Sequence, residues 1–287
     1  MQSGMLEVNG TKLWHLMNGQ GLPVVLLHGG PGSYDYMEPV AEMLTRDYQV
    51  IRYDQRGSFR SAKKGPYHTA IMIKDLEQLR MSLGIERWVV CGHSWGAFLA
   101  LAYTACYEER VEALIYMSGT GIDPDWHQDY RVNRLKLMQA ADREEYTYLR
   151  STVEQLSGKE QENALNRIRY LSAGTDLFYP ERRHLLPKTE SPYLNAEVNA
   201  SVNSDTANWM VKNDFRLQVR KIRVPSLFVH GAADPRPAGY AARLSQLLSN
   251  SRMKVLPQAG HYPWIDQPAL LCQTLRDFLN NYNLEKS

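Results

Sequence analysis

Val89-Val90-Cys91-Gly92-His93-Ser94-Trp95-Gly96-Ala97-Phe98-Leu99-Ala100 is the stretch on which the reading of this chain turns. An apolar β-type run ends in Gly-x-Ser-x-Gly, and a run of small and apolar residues with helical character follows at once. A serine hydroxyl is a weak nucleophile. To react, it has to be lifted from a sheet on a sharp turn, where a base can reach it and an acyl carbonyl can approach. Gly92 and Gly96 let such a turn pack without Cβ clashes. A helix that begins just after Ser94 also aims its free N–H groups at the charge that develops on an acyl oxygen. A bare Gly-x-Ser-x-Gly recurs by chance in ordinary turns. The strand before it and the helix after it are what make Ser94 a candidate nucleophile.

Toward the N-terminus, Leu26-Leu27-His28-Gly29-Gly30-Pro31-Gly32 closes an earlier apolar run with a glycine-rich turn. Such a turn can bring a backbone N–H close to the oxygen of a carbonyl held at the nucleophile. The oxyanion hole is therefore assigned to the N–H groups of Gly30 and Trp95, with His28 as a loop brace. Toward the C-terminus, Leu227-Phe228-Val229 is followed by His230-Gly231-Ala232-Ala233-Asp234-Pro235. Val255-Leu256 is followed by Pro257-Gln258-Ala259-Gly260-His261-Tyr262-Pro263-Trp264. Nucleophile, acid and base then stand at strand ends in the order Ser, Asp, His. Asp234 can accept from Nδ1–H of His261 and leave Nε2 free to take the Ser94 proton. Taken singly, Asp234 is a turn former and His261 a surface residue; their joint order is what points to chemistry.

The other histidines offer no rival base. Of the eight, His15, His68, His127 and His184 fall in a hairpin, a loop or a helical insertion. His93 precedes the nucleophile as a packing residue, and His230 adjoins the strand that supplies Asp234 and supports its turn. No H-E-x-x-H, G-x-G-x-x-G or Walker sequence occurs, so no metal site and no cofactor is expected.

The chain has 287 residues, 44% hydrophobic and 22% charged, the balance of a globular protein able to bury a large core. Thirty-three Lys+Arg against 31 Asp+Glu leave a formal charge of +2, which is no footprint for nucleic acid or an anionic membrane surface. Apolar stretches such as Leu22–Leu27 are far short of the roughly 20 residues of a membrane span. Met1–Glu7 lacks a basic region followed by an apolar one, so a cytoplasmic location is expected. Cys91, Cys106 and Cys272 are odd in number and widely spaced, against both a disulfide framework and a zinc site. Cys91 and Cys106 lie in apolar patterns and are expected to be buried.

Asn9-Gly10 between two partly alternating runs predicts a hairpin. β-type runs at Val24–Leu27, Gln49–Tyr53, Trp88–Cys91 and Ala113–Met117 then alternate with helical spacing over 35–44, 71–83 and 97–107. That alternation predicts parallel strands joined by crossovers, covered on both faces. From 122 to 217 no β-run occurs, and 130–141, 143–156 and 159–171 read as helices. Alternation resumes with a strand at 225–229, a helix at 238–248, a strand at 253–256 and a closing helix at 269–282. The expected organisation is an α/β core over 1–121 and 218–287 with a helical insertion over 122–217.

With these residues in place, the chain resembles the α/β-hydrolase superfamily over nearly its whole length, and more narrowly the proline iminopeptidase-like group. The narrow match rests on His28-Gly29-Gly30-Pro31-Gly32, Tyr53-Asp54-Gln55-Arg56-Gly57-Ser58, Gly92-His93-Ser94-Trp95-Gly96, the Gly231–Asp234 turn and Gly260-His261. The resemblance implies an α/β-hydrolase fold with a mostly parallel eight-stranded sheet and a helical cap over the site. It also implies release of an N-terminal residue, typically proline, from small peptides, with acidic residues of the cap holding the substrate amine. Glu197 looks similar to one of these. Two departures bear on the substrate. Ser58-Phe59-Arg60-Ser61 stands where the group has a second glycine before a serine, and no Trp-Glu pair of the kind many members carry in the cap is found. The same framework serves esterases, lactonases and carbon–carbon bond hydrolases, and a small ester or amide is the substrate expected beside a small peptide. A barely catalytic ligand receptor on the same fold is the reading from another class, and the intact Ser94, Asp234 and His261 set favours an enzyme.

Overall fold

The Asn9-Gly10 pair makes the turn its sequence predicts: φ is positive at both residues, 42° and 74°, as a two-residue hairpin that matches strand twist requires. It joins β1 (Gln2–Val8) to β2 (Thr11–Asn18) in antiparallel register, Val8 opposite Thr11. The computed structural model describes residues 1–190 and 192–284. After the hairpin the chain runs through β3 (Pro23–Leu27), α1 (Glu38–Leu44), β4 (Gln49–Tyr53), α2 (Thr69–Ser82), β5 (Trp88–His93), α3 (Trp95–Cys106) and β6 (Val111–Met117). A helical segment follows, made of α4 (Trp126–Leu137), α5 (Ala140–Thr152), α6 (Gly158–Ala173), α7 (Ala196–Lys212) and α8 (Phe215–Val219). The chain closes with β7 (Ser226–Gly231), α9 (Ala238–Ser245), β8 (Ser251–Leu256), α10 (Pro263–Asp266) and α11 (Pro268–Leu284).

The strands form one eight-stranded sheet in the order β1-β2-β4-β3-β5-β6-β7-β8, parallel from β4 through β8. After β3 the chain first steps to β4 on one side and then crosses to β5 on the other. Strand order reverses there, which opens a crevice beyond the carboxyl ends of β3 and β5. Both faces of the sheet are covered. Val25, Leu27 and Val90 face a core shared with α2 and α3, while Val24, Leu26, Val89 and Cys91 face one shared with α1 and α11. The period-two split explains why these strands read as continuous apolar runs.

Two expectations need correction. Cys106 is exposed; it sits in the last turn of α3, where the apolar pattern continues but no layer covers it. The 17-residue α7 is not among the helices that periodicity predicts. Its Asn, Ser, Thr, Asp and Val content is poor in intrinsic helix formers. Packing supplies what propensity lacks: Val198, Val202 and Trp209 are buried in the same core as α2 and α3, and the Asn195 side chain caps the amides of Glu197 and Val198. The helical segment is thus partly built into the main core, whereas α5 and α6 share a small cluster around Val153, Ala164 and Ile168. Among the described residues, no helix is long and apolar enough to cross a membrane.

Candidate active site

Ser94 stands between β5 and α3 with φ 57° and ψ −122°, a conformation that costs a non-glycine residue about 1–3 kcal/mol. The surroundings enforce it. A Cβ on Gly92 would meet the Gly96 carbonyl, and one on Gly96 would lie 2.5 Å from the His28 oxygen and 2.8 Å from the Leu27 carbonyl carbon. The Ser94 N–H donates to the Met117 carbonyl at 2.9 Å, which ties the turn to the end of β6. The side chain is left half-buried at the crevice, ahead of the N-terminus of α3.

His261 and Asp234 arrive from the loops after β8 and β7. His261 Nε2 lies 3.0 Å from Ser94 Oγ, and Nδ1 lies 2.6 Å from Asp234 Oδ2. A carboxylate only accepts, so Nδ1 carries the proton and Nε2 is left to receive the one on Ser94. Asp234 is buried, and its second oxygen accepts from the Arg236 N–H at 2.9 Å and from the Arg236 guanidinium at 3.2 Å. Burial works to raise the Asp234 carboxyl. The charges of His261 and Arg236 and the His261 hydrogen bond outweigh it and hold the group well below the usual carboxylate range. An ionised carboxylate is what keeps the imidazole in this tautomer and stabilises its protonated form.

Opposite Ser94 lies the Gly29-Gly30 turn, with Gly30 at φ 51°. A Cβ on Gly29 would lie 2.7 Å from Ser94 Cβ and 2.8 Å from the His93 oxygen, so backbone alone fits against Ser94. The Gly29 N–H donates to the Tyr36 hydroxyl at 2.6 Å. Tyr36 must then donate its own proton to His93 Nδ1 at 2.8 Å, and His93 Nε2–H donates to the His261 carbonyl at 2.9 Å. Burial drives His93 well below its ordinary pKa, with the neighbouring His261 adding to the effect, so it holds this chain as a neutral imidazole. His93 is therefore more than packing: it bridges the turns that carry Gly29, Ser94 and His261. His28 braces its loop, accepting from the Gln55 N–H at Nε2 and donating from Nδ1 to the Gly29 carbonyl at 2.9 Å.

The structure brings Ser94, Asp234, His261, Trp95 and the Gly30 turn together. Neither the Gly30 nor the Trp95 N–H has a hydrogen-bond acceptor among the described residues. Glu197 is set apart. It lies exposed in the first turn of α7, near Tyr67, on a helix whose start rests on the Gly30–Gly32 turn through Asn195 N–H to the Gly32 carbonyl (2.8 Å) and Asn199 Nδ2 to the Pro31 carbonyl (3.0 Å). Sequence reasoning missed Tyr36, Arg236, Asp176 and Asp266. Asp266 accepts from the N–H groups of Gly260, Phe178 and Tyr179 at 2.8, 2.9 and 3.2 Å and so fixes the His261 loop. The one available signal was the cation two residues beyond Asp234.

Among known proteins, the model of a family described as the alpha/beta hydrolase fold matches residues 23–268. A proline iminopeptidase of Heyndrickxia coagulans is 29% identical, covering 92% of this chain and 92% of its own. One from Saccharolobus solfataricus is 25% identical over 98% of this chain and 93% of its own. The crystal structure of a proline iminopeptidase from Mycobacterium smegmatis covers all of both chains with a TM-score of 0.71 at 19% identity, a likeness of fold.

Proposed function

The chain belongs to the alpha/beta hydrolase fold family and is a serine hydrolase, and from that premise we propose that it releases N-terminal residues, typically proline, from small peptides. In this reading Ser94 Oγ attacks the carbonyl of the first residue while His261 Nε2 takes its proton. Asp234 stabilises the imidazolium that results, and the N–H groups of Gly30 and Trp95 receive the oxyanion. His261 then returns the proton to the leaving amine. Water, activated by the same imidazole, frees the acyl group from Ser94. The observation that carries the reading is the hydrogen-bonded line from Ser94 through His261 to Asp234, set on a strained turn. The iminopeptidase relatives, aligned over more than nine-tenths of the chain, support a small-peptide substrate. Residues 122–217 act as the cap that limits access, and Glu197 is the carboxylate assigned to the substrate ammonium. A second reading, hydrolysis of small esters or lactones, is favoured by one fact: Glu197 is exposed, where an ammonium would find water as good a partner.

The test sets prolyl and alanyl naphthylamides against short-chain p-nitrophenyl esters, with wild type and Glu197→Gln. Faster turnover of the aminoacyl substrates, weakened by Glu197→Gln while acetate esters are untouched, supports the iminopeptidase reading. Equal effects on both substrate classes, or none, remove Glu197 from amine recognition and favour the esterase.

A further inference from the structure

Arg236 lies two residues beyond Asp234, and its guanidinium joins both parts of the molecule. One nitrogen lies 2.8 Å from Asp176 Oδ1 and 3.2 Å from Asp234 Oδ1; another donates to the Tyr130 hydroxyl at 2.9 Å, with the guanidinium 4.1 Å over the Tyr130 ring. Asp176 and Tyr130 belong to the helical segment, Asp234 and His261 to the core. Asp176 holds the core at a second point, because its backbone carbonyl accepts the His261 N–H at 2.7 Å. A closed ring results. His261 N–H donates to the Asp176 carbonyl, the Asp176 carboxylate meets Arg236, Arg236 meets one oxygen of Asp234, and the other oxygen of Asp234 meets His261 Nδ1. The contact has no slack, since a Cβ on Gly260 would lie 2.8 Å from the Asp176 carbonyl carbon and 2.8 Å from Leu177 Cα. With Arg236 and Asp176 side chains only 12% and 15% exposed, water competes poorly for either partner.

We infer that Arg236 is a positioning residue: through Asp176 it makes the seating of the helical segment a condition for correct placement of His261 and Asp234. The inference rests on the triad reading above. Arg236 touches no reacting atom. It holds the Oδ1 end of Asp234 from one side of the ring while Asp176 fixes the His261 backbone from the other. Displacing the segment around Asp176 would loosen both supports of the imidazole together.

The test follows phosphonylation of Ser94 by a fluorophosphonate, a reaction that needs the base but no particular peptide. Arg236→Met should lower the limiting rate at saturating probe by about 10- to 100-fold, the scale for a catalytic group out of place by up to about 1 Å, with the half-saturating concentration nearly unchanged. Arg236→Lys should restore most of the rate. Asp176→Asn should reduce it in the same sense, and Arg236→Met with Asp176→Asn should be no worse than Arg236→Met alone, as members of one ring are not additive. A wild-type limiting rate in folded Arg236→Met, an effect confined to half-saturation, or no rescue by Lys overturns the inference. If Arg236→Met does not fold, Asp176→Asn decides it, and a wild-type rate there is equally fatal. Failure of wild-type protein to be labelled at Ser94 refutes the triad reading instead.

Discussion

Gly29→Ala puts a single methyl group between the Gly29-Gly30 turn and Ser94, the proposed nucleophile. The new Cβ would lie 2.5 Å from the Tyr36 hydroxyl, 2.7 Å from Ser94 Cβ and 2.8 Å from the His93 carbonyl oxygen. Carbon atoms in ordinary contact sit about 3.5 Å apart or more, so Ser94 Cβ or the Gly29 turn has to give by roughly 0.8 Å. Neither is free to do so. Ser94 is pinned by the hydrogen bond its N–H donates to the Met117 carbonyl, and Gly29 by the one its N–H donates to the Tyr36 hydroxyl. A displacement of that size between nucleophile and oxyanion donors is expected to lower kcat by about 100-fold, while overpacking costs about 1–3 kcal/mol of stability. The assay is steady-state hydrolysis of a p-nitrophenyl ester together with thermal melting of the same preparation. A variant that melts a few degrees lower and has lost kcat fits the geometry. Wild-type kcat in Gly29→Ala would show that the Gly29 turn does not pack on Ser94, and the assignment of Gly30 to the oxyanion hole would fall with it.

Asp234→Asn should lower kcat by about 10⁴-fold in the same ester assay, because the amide cannot hold the imidazole in its working tautomer; unchanged turnover would remove Asp234 from the triad. Arg56 and Asp75, 1% and 2% exposed, form a bidentate pair (2.6 and 2.7 Å) that ties the loop after β4 to α2, and Asn9 of the hairpin turn hydrogen-bonds to both. Arg56→Met should therefore cost about 3–5 kcal/mol in urea unfolding by stranding a buried carboxylate. Adding Asp75→Leu should recover part of that loss, and a double variant worse than the single would contradict it. Asp35 has its carboxyl pushed up to about 6 by burial, against the opposing charge of Arg52. The folded state thus binds this proton more tightly than the unfolded chain. Its contribution is fully present below about pH 4 and is lost as pH rises through about 6, on the order of 3 kcal/mol. The stability of wild type relative to Asp35→Asn, followed by chemical denaturation, should decline over that interval, and a flat difference would count against it.

What could be read from the sequence was what close packing or backbone conformation demands of particular residue types. Asn9-Gly10 announces a turn with two positive φ values, and Gly92 and Gly96 announce a strand-to-helix turn with no room for Cβ atoms. The strand-end positions of Ser94, Asp234 and His261 follow from the alternation of strands and helices. Other features depend on partners distant in sequence. Nothing near Asp176 in the chain marks it as a contact of Arg236, 60 residues away, and Tyr36 reaches His93 only because β3 and β5 are neighbours in the sheet. The helix α7 was hidden because its residues favour caps and turns locally, and burial of Val198, Val202 and Trp209 holds it in place. Cys106 misled in the opposite sense: an apolar pattern records what a helix offers to a neighbour, and at its last turn no neighbour covers it.

The account stands on Ser94 as the nucleophile served by His261, and the most direct measurement is the site and base dependence of fluorophosphonate labelling, read by peptide mass spectrometry. The account predicts a single adduct on Ser94, formed rapidly in wild-type protein, absent in Ser94→Ala and slowed by about 10³-fold or more in His261→Ala. An adduct on Cys91 or on another serine, or labelling of Ser94 at an unchanged rate without the His261 imidazole, would contradict it.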